Sequence, residues 1–483
     1  MTTAVVGSEP MNAADAAWLH MDRPDNFMVV NTLLWLDRPV DQAAVLQIFR
    51  DRVISRFRRF RQRAADPAVT LAPWAAPEWA DDPAFALTEH VTSTRLPAPG
   101  DQATLQRVAN DLANRPLRAG RPLWELHLFD GYGAGSALLL RTHHAIADGV
   151  ALMQVLLAMT DPLDGGGQAG GPAEALQIRD DTRTEIWPSG LAGRAAERAA
   201  AAGRHGTSIA ATLGASLRAA LTDVGKLTDV ASLARSDTAM LAKLGSGLTA
   251  DRNLLQGPLT GAKQRSWIRP VPVEAVKAAG RDAGSTVNDV VLGAITSALR
   301  CYLLEHDGLV PEVLVIEPVN LRLPGAPLPS GLGNRFGLVF VALPTGEPDA
   351  GRRRALIRAQ MEQIKHSRES AFVYIMLELM GQIPAGLQTA WTDVFAARAT
   401  AIVSNVAGPR HRLQLAGTPI AGLITWVPAT GPVGLGFSAV SYAGQLTVGV
   451  ATDARLVPDH DRLVALIDAE VSALGLPDCR VRC

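Results

Sequence analysis

Between Arg412 and Asp453 the chain carries no charged residue. So long a neutral stretch has to be buried, in protein or in lipid, because apolar surface left in water is costly. Its punctuation argues against lipid. Pro419, Pro428, Pro432 and repeated glycines interrupt it, whereas a membrane-spanning helix needs about 20 continuous apolar residues. The run therefore reads as buried β-structure, with strand-like pieces at residues 422–427 and 434–441. Strands and helices recur in both halves of the chain, so the expected class is α/β, with two similar layers.

The remainder of the chain supplies those layers. At 483 residues it is too long for one ordinary core, so two domains are expected. Strand-like segments occur at 28–36, 124–131, 136–142, 312–319, 337–343 and 401–404. Helical patterns occupy 40–60, 103–114, 151–159, 273–283, 285–305, parts of 352–396, and 459–474. Asn12 followed by Asp15 reads as a helix start. A glycine-rich tract from Gly165 to Gly171 reads as a flexible linker. Ala-rich helices are expected after it, with Leu213, Leu217, Leu221 and Val224 at three- and four-residue spacing. They fit a bridging segment or an amphipathic helix lying on a membrane surface. The expected division is 1–164, a linker region 165–265, and 266–483.

Net charge is −1, which provides no overall field for nucleic acid or anionic membrane. The arginine cluster 56–63 reads as a solvated face, or one that meets the phosphates of a charged cofactor. Cys301, Cys479 and Cys483 form no CxxC pair, so neither a disulfide framework nor a zinc module is expected, and a reducing compartment fits better. Residues 1–15 show no signal-peptide pattern.

Chemistry concentrates in residues 138–150. An apolar strand delivers His143 and His144, an Asp148-Gly149 turn follows, and a helix begins. Adjacent residues on an extended chain point to opposite faces, so only one histidine can face a given cavity. That disfavours a chelating pair, and no further ligand stands at metal-binding spacing. A neutral imidazole at a strand end can act as general base near neutral pH. No serine or cysteine sits in a nucleophile elbow. The reaction that fits is direct attack of a bound hydroxyl on an activated acyl group.

The heptapeptide His143-His144-Ala145-Ile146-Ala147-Asp148-Gly149 matches the HHxxxDG signature of the coenzyme A-dependent acyltransferase superfamily. More narrowly, the chain resembles the bacterial wax ester synthase/diacylglycerol acyltransferase family. Further matches are Pro122-Leu123-Trp124, Asn288-Asp289, Pro318-Val319-Asn320-Leu321-Arg322, Gly333-Asn334-Arg335 and Ser404 to Pro409. Ala407 departs from the proline usual in that family.

The resemblance implies two chloramphenicol-acetyltransferase-like domains, each a mixed sheet with helices, joined by a helical linker, with an active-site channel at their interface. It implies long-chain acyl-CoA as co-substrate, no bound cofactor, and diacylglycerol or a fatty alcohol as acceptor. It also implies His144 as base, His143 turned away, and Asp148 as a structural residue paired with an arginine, for which Arg322 is the candidate. Gly149 is expected to let the chain turn closely. Asn288 either donates to the developing oxyanion or caps its helix. A cytoplasmic enzyme, peripheral to a membrane or lipid droplet, is expected. A carrier-protein-dependent condensing enzyme, or an inactive acyl-lipid-binding protein, would share many of these residues.

Overall fold

A computed structural model describes residues 8–65, 77–163, 252–281, 283–322, 331–367, 373–374, 377–378, 385–397 and 399–474. The glycine-rich linker and the Ala-rich helices expected after it lie outside these residues. The first half contributes α1 (Ala13–His20), β2 (Val29–Leu36), α2 (Gln42–Ile48), β5 (Val91–Arg95) and α4 (Gln102–Ala113). It continues with β6 (Trp124–Tyr132), β7 (Gly135–His143) and α5 (Gly149–Met159). Short strands β1 (Glu9–Pro10), β3 (Gln62–Ala65) and β4 (Glu78–Asp81) form a small separate sheet, α3 (Leu87–His90) is one turn long, and β8 (Asp161–Pro162) follows α5.

The second half holds β9 (Lys263–Trp267), β10 (Val271–Pro272), α6 (Val273–Arg281), α7 (Val287–Glu305), β11 (Val313–Asn320) and β12 (Phe336–Leu343). Next are α8 (Ala350–His366), α9 (Ala385–Ala396), β13 (Ala401–Ala407), β14 (Leu413–Leu415), β15 (Thr418–Trp426), β16 (Leu435–Tyr442), β17 (Gln445–Asp453) and α10 (His460–Ala473). The molecule is thus a two-domain α/β protein built on two seven-stranded mixed sheets. The charge-free run supplies four strands, β14 to β17, broken at residues 427–434 where its prolines and glycines cluster.

The order of the first sheet is β5-β6-β7-β2-β15-β14-β8. Two of its strands, β14 and β15, come from the second half of the sequence. β15 lies antiparallel to β2 with Leu423 opposite Leu34 and Trp426 opposite Asn31. A linear division at residue 265 therefore does not describe the sheets, and β9 crosses that point on its way into the second sheet. An alternating apolar strand states that it needs a covered face but not which sheet supplies it.

The second sheet runs β10-β17-β16-β13-β11-β12, with β9 also on β17. Its strands face two cores at once. On β12, Phe336, Leu338 and Phe340 join the core shared with the first half, while Val339, Val341 and Leu343 join the core under the second half's own helices. Period-two alternation makes one strand serve both. The interface between halves is therefore apolar and continuous with the first core.

The longest core helix, α7, starts with a capping box: Thr286 accepts from the Asp289 N–H and Asp289 accepts from the Thr286 N–H. It is long and apolar enough to cross a membrane, yet most of that stretch is buried inside the protein, as in a core helix. Cys301 on α7 is disulfide-bonded. Cysteine spacing alone does not predict this bond.

The arginine cluster also differs from a uniform solvated face. Arg59 is buried, pairs with Glu9, bonds Gln62 and lies 5.0 Å from the centre of the Trp79 ring. Arg58 pairs with Asp81 at 3.1 Å.

Candidate active site

The hairpin of β6 and β7 carries the histidines. β7 is paired on both sides along its length, with Leu138 opposite both Leu128 and Leu34, so its end is held rigidly. His143 ends the strand, opposite Val29. The N–H of His144 then donates to the Met28 carbonyl at 2.7 Å and the chain turns.

The two rings have different surroundings. His143 Nδ1 accepts from the Ala145 N–H at 3.1 Å, so its proton is on Nε2, which lies 3.6 Å from Asp22 Oδ1. His144 Nδ1 lies 2.9 Å from Asn334 Oδ1. The orientation of that amide is set by its other end, since Asn334 Nδ2 donates to Asp15 Oδ1 and to the His144 carbonyl, both at 2.8 Å. Oxygen therefore faces the imidazole, Nδ1 carries the hydrogen, and the lone pair of His144 is on Nε2.

Helix α1 brings the other groups. Asn12 caps it, accepting from the Asp15 N–H at 2.7 Å and donating to Asp15 Oδ2 at 2.6 Å. Asp15 and Trp18 are three residues apart and share one helix face. Trp18 stacks on His144 with ring centres 4.2 Å apart and planes 16° from parallel. Phe336 lies 5.5 Å from the same imidazole. This apolar cluster buries His144 and pushes its pKa down to about 4, against the pull of Asp148. The imidazole of His144 is thus neutral throughout the physiological range. Burial also raises Asp15 to about 7, opposed by its bonds from Asn334.

Asp148 is structural in its contacts. It caps α5 through Oδ1, which accepts from the Ala151 N–H at 3.0 Å. Its Oδ2 accepts from Arg322 and, at 2.9 Å, from the Arg335 N–H. Arg322 also donates to the Gly333 carbonyl at 2.8 Å. Gly333 has φ +90, a conformation that side-chain-bearing residues rarely adopt, and a Cβ there would sit 3.3 Å from Asn12 Nδ2. Its N–H donates to Ile146 O at 3.1 Å. The loop of the first half is in this way stitched to residues 332–335 of the second.

Two expectations need correction. Gly149 is the first residue of α5, its φ is not in the left-handed region, and an added Cβ would find only Val406 Cγ2 at 3.7 Å. No close turn requires glycine there. Asn288 does not cap its helix, because Thr286 does. Asn288 Oδ1 accepts from Asn405 Nδ2 at 3.2 Å, while its own Nδ2 is buried without a hydrogen-bond partner. Such a donor costs about 1–3 kcal/mol unless something binds it.

Asn334, Asp15 and Trp18 were not assigned to the site from sequence. Asn334 stands in a matched tripeptide, and Asp15 reads only as a helix start. The available signal was a charged residue amid Ala14, Ala16, Ala17 and Trp18, all buried. Among the described residues, no three histidine, cysteine or carboxylate side chains converge as a metal site.

Two mixed sheets joined through an apolar interface, with a buried histidine at the end of a hairpin and an aspartate–arginine pair behind it, define the class of HHxxxDG acyltransferases. The chain belongs to the wax ester synthase/diacylglycerol acyltransferase family: its catalytic-domain model matches residues 11–291 and its C-terminal domain residues 332–474. The chain is accordingly an acyl-CoA-dependent acyltransferase. A Mycobacterium tuberculosis protein named as a probable diacylglycerol O-acyltransferase is 25% identical over 478 residues, covering 96% of this chain and 95% of that one. The wax ester synthase/diacylglycerol acyltransferase of Marinobacter aquaeolei VT8 has the same fold, with TM-score 0.64, 22% identity and coverage of 97% and 99%. The first condensation domain of the calcium-dependent antibiotic synthetase shares it at TM-score 0.57 and 13% identity, with coverage of 99% and 98%.

Proposed function

We propose that the enzyme transfers a long acyl chain from coenzyme A to the hydroxyl of diacylglycerol or a fatty alcohol, with His144 Nε2 as the base. The observation that carries this is the occupied Nδ1: with Asn334 on one nitrogen, the basic lone pair is on the other. Nε2 takes the hydroxyl proton as the oxygen attacks the thioester carbonyl. The tetrahedral intermediate collapses, the C–S bond breaks, and the proton passes from the imidazolium to the departing thiolate. Such proton transfer contributes about 10²- to 10⁴-fold.

The unpartnered amide of Asn288 is the donor we assign to the developing oxyanion, an interaction of about 3 kcal/mol where measured elsewhere. Asp148 contacts only Arg322 and backbone donors, so its role is to hold the loop. The acyl-CoA and the acceptor would reach His144 by a channel between the two halves. Because both acceptors are lipids, we place the enzyme in the cytoplasm, peripheral to a membrane or lipid droplet.

The test is purified enzyme with one long-chain acyl-CoA and competing diacylglycerol and hexadecanol, following free thiol and lipid product. Thiol release matched by ester, and lost in His144→Ala with an unchanged melting temperature, is the expected result. Near-normal turnover in His144→Ala removes the base assignment. Transfer only from an acyl-carrier protein would move the enzyme to the condensing class, and binding without thiol release would make it a lipid-binding protein.

A further inference from the structure

We infer that Asn334 is a positioning residue for the reaction and that Asp15 orients it, forming a buried carboxylate–amide–imidazole relay that holds His144 in its reactive tautomer. The inference rests on His144 being the base. The His144 ring bonds to its own backbone and, from the other half of the chain, to Asn334 Oδ1 at 2.9 Å. An amide is an ambiguous partner, because rotated by half a turn it presents N–H instead of oxygen. Asp15 removes the ambiguity. Its Oδ1 accepts from both the Asn334 N–H, at 3.0 Å, and Asn334 Nδ2, at 2.8 Å. The His144 carbonyl takes the second hydrogen of that nitrogen. Both hydrogens of the amide are therefore committed on the side away from the ring, and a flipped amide would set its oxygen against the two oxygens that now accept from it.

The same geometry serves the imidazolium that forms during transfer. Its Nδ1–H keeps an oxygen partner, so the charge is stabilised without a carboxylate in contact with the ring. Charged groups around His144 come from several elements. Asp148 and His143 lie on its own segment, with Asp22 beyond His143. Asp15 on α1 acts through Asn334, and Arg322 and Arg335 lie behind Asp148. The flanking rings, Trp18 and Phe336, are uncharged. A carboxylate placed at residue 334 would be the first in contact with the ring.

Two substitutions separate positioning from packing. Asn334→Leu keeps the branched shape and removes the acceptor, and kcat should fall about 100-fold with KM within a few-fold, since the ring loses the partner that Asn334 provides. Asn334→Asp restores an acceptor that is also charged. Its kcat should lie well above that of the leucine variant, and the acid limb of kcat/KM should move up by at least one pH unit, because the imidazolium gains a direct counter-ion. An aspartate at 334 that did not face the ring would move no limb. The inference is overturned if Asn334→Leu keeps kcat within two- to threefold. It is also overturned if Asn334→Asp leaves the limb where it is in the unsubstituted enzyme. Should Asn334→Leu not fold, the limb in Asn334→Asp decides alone. His144→Ala, assayed in parallel, keeps the readings distinct: activity surviving there sinks the base assignment, whereas activity lost there but kept in Asn334→Leu sinks only the relay.

Discussion

Two buried carboxylates flank the histidine loop, and they are held in opposite ways. Asp148, on the first-half side, meets a guanidinium and two backbone N–H groups. Asp15, on α1, is fully buried and meets only neutral donors, from Asn12 and Asn334. A buried charge paired with a cation is compensated, whereas one paired with amides retains part of its desolvation cost. Burial accordingly raises Asp15 to about 7. The paired carboxylate fixes the shape of the loop; the unpaired one fixes the orientation of a side chain.

The sharpest way to break this contrast is to remove the cation. Arg322→Leu leaves Asp148 buried without its counter-ion, which should cost about 3–5 kcal/mol of stability near pH 7. Chemical denaturation of Arg322→Leu and of Asp148→Ala measures this. Asp148→Ala should lose stability together with activity. Undiminished stability with a reduced rate would instead give Asp148 a direct part in the chemistry.

Asp15→Asn is the matched change on the other side, preserving shape and an acceptor for Asn334 while removing the charge. In the unsubstituted enzyme the folded pKa, about 7, exceeds the ordinary 3.8. The neutral carboxyl is thus favoured in the fold, and the stability it contributes below pH 4 is lost as pH rises towards 7. The variant has no such loss, so its advantage should grow from near zero at pH 4 to the order of a few kcal/mol at pH 7. His144 contributes with the opposite sign. Its folded value, about 4, lies below 6.5, so it costs stability as pH falls through that window, and this cancels between the two proteins. A pH-independent difference would show that Asp15 is compensated after all.

These two carboxylates also mark how far the sequence can be read. Asp148 was legible because its signature is local: strand, histidines, turn and helix lie within thirteen residues, and each follows from the pattern of its neighbours. Arg322 was reached only through the family resemblance, and the structure places it on Asp148. Asp15 and Asn334 are separated by 319 residues, and nothing local to either announces the other. The strands were legible from alternation and from the missing charges. That β15 joins the sheet of the opposite half was not, because pairing between distant strands leaves no trace in one sequence.

Gly149 should show the smallest effect, since it belongs to the signature yet has no steric requirement in the fold. It occupies the first position of α5 behind the Asp148 cap, and an added methyl would make an ordinary contact with Val406. Alanine there loses less backbone freedom on folding than glycine, so Gly149→Ala should leave stability unchanged or raise it by about 0.5–1 kcal/mol. Thermal unfolding measures the sign. A loss of more than about 1 kcal/mol would mean that the Asp148 loop needs glycine for its own shape. If stability holds or rises while kcat/KM falls, the glycine keeps open space for substrate at the start of α5. In that case the signature's aspartate serves the fold and its glycine serves the ligand.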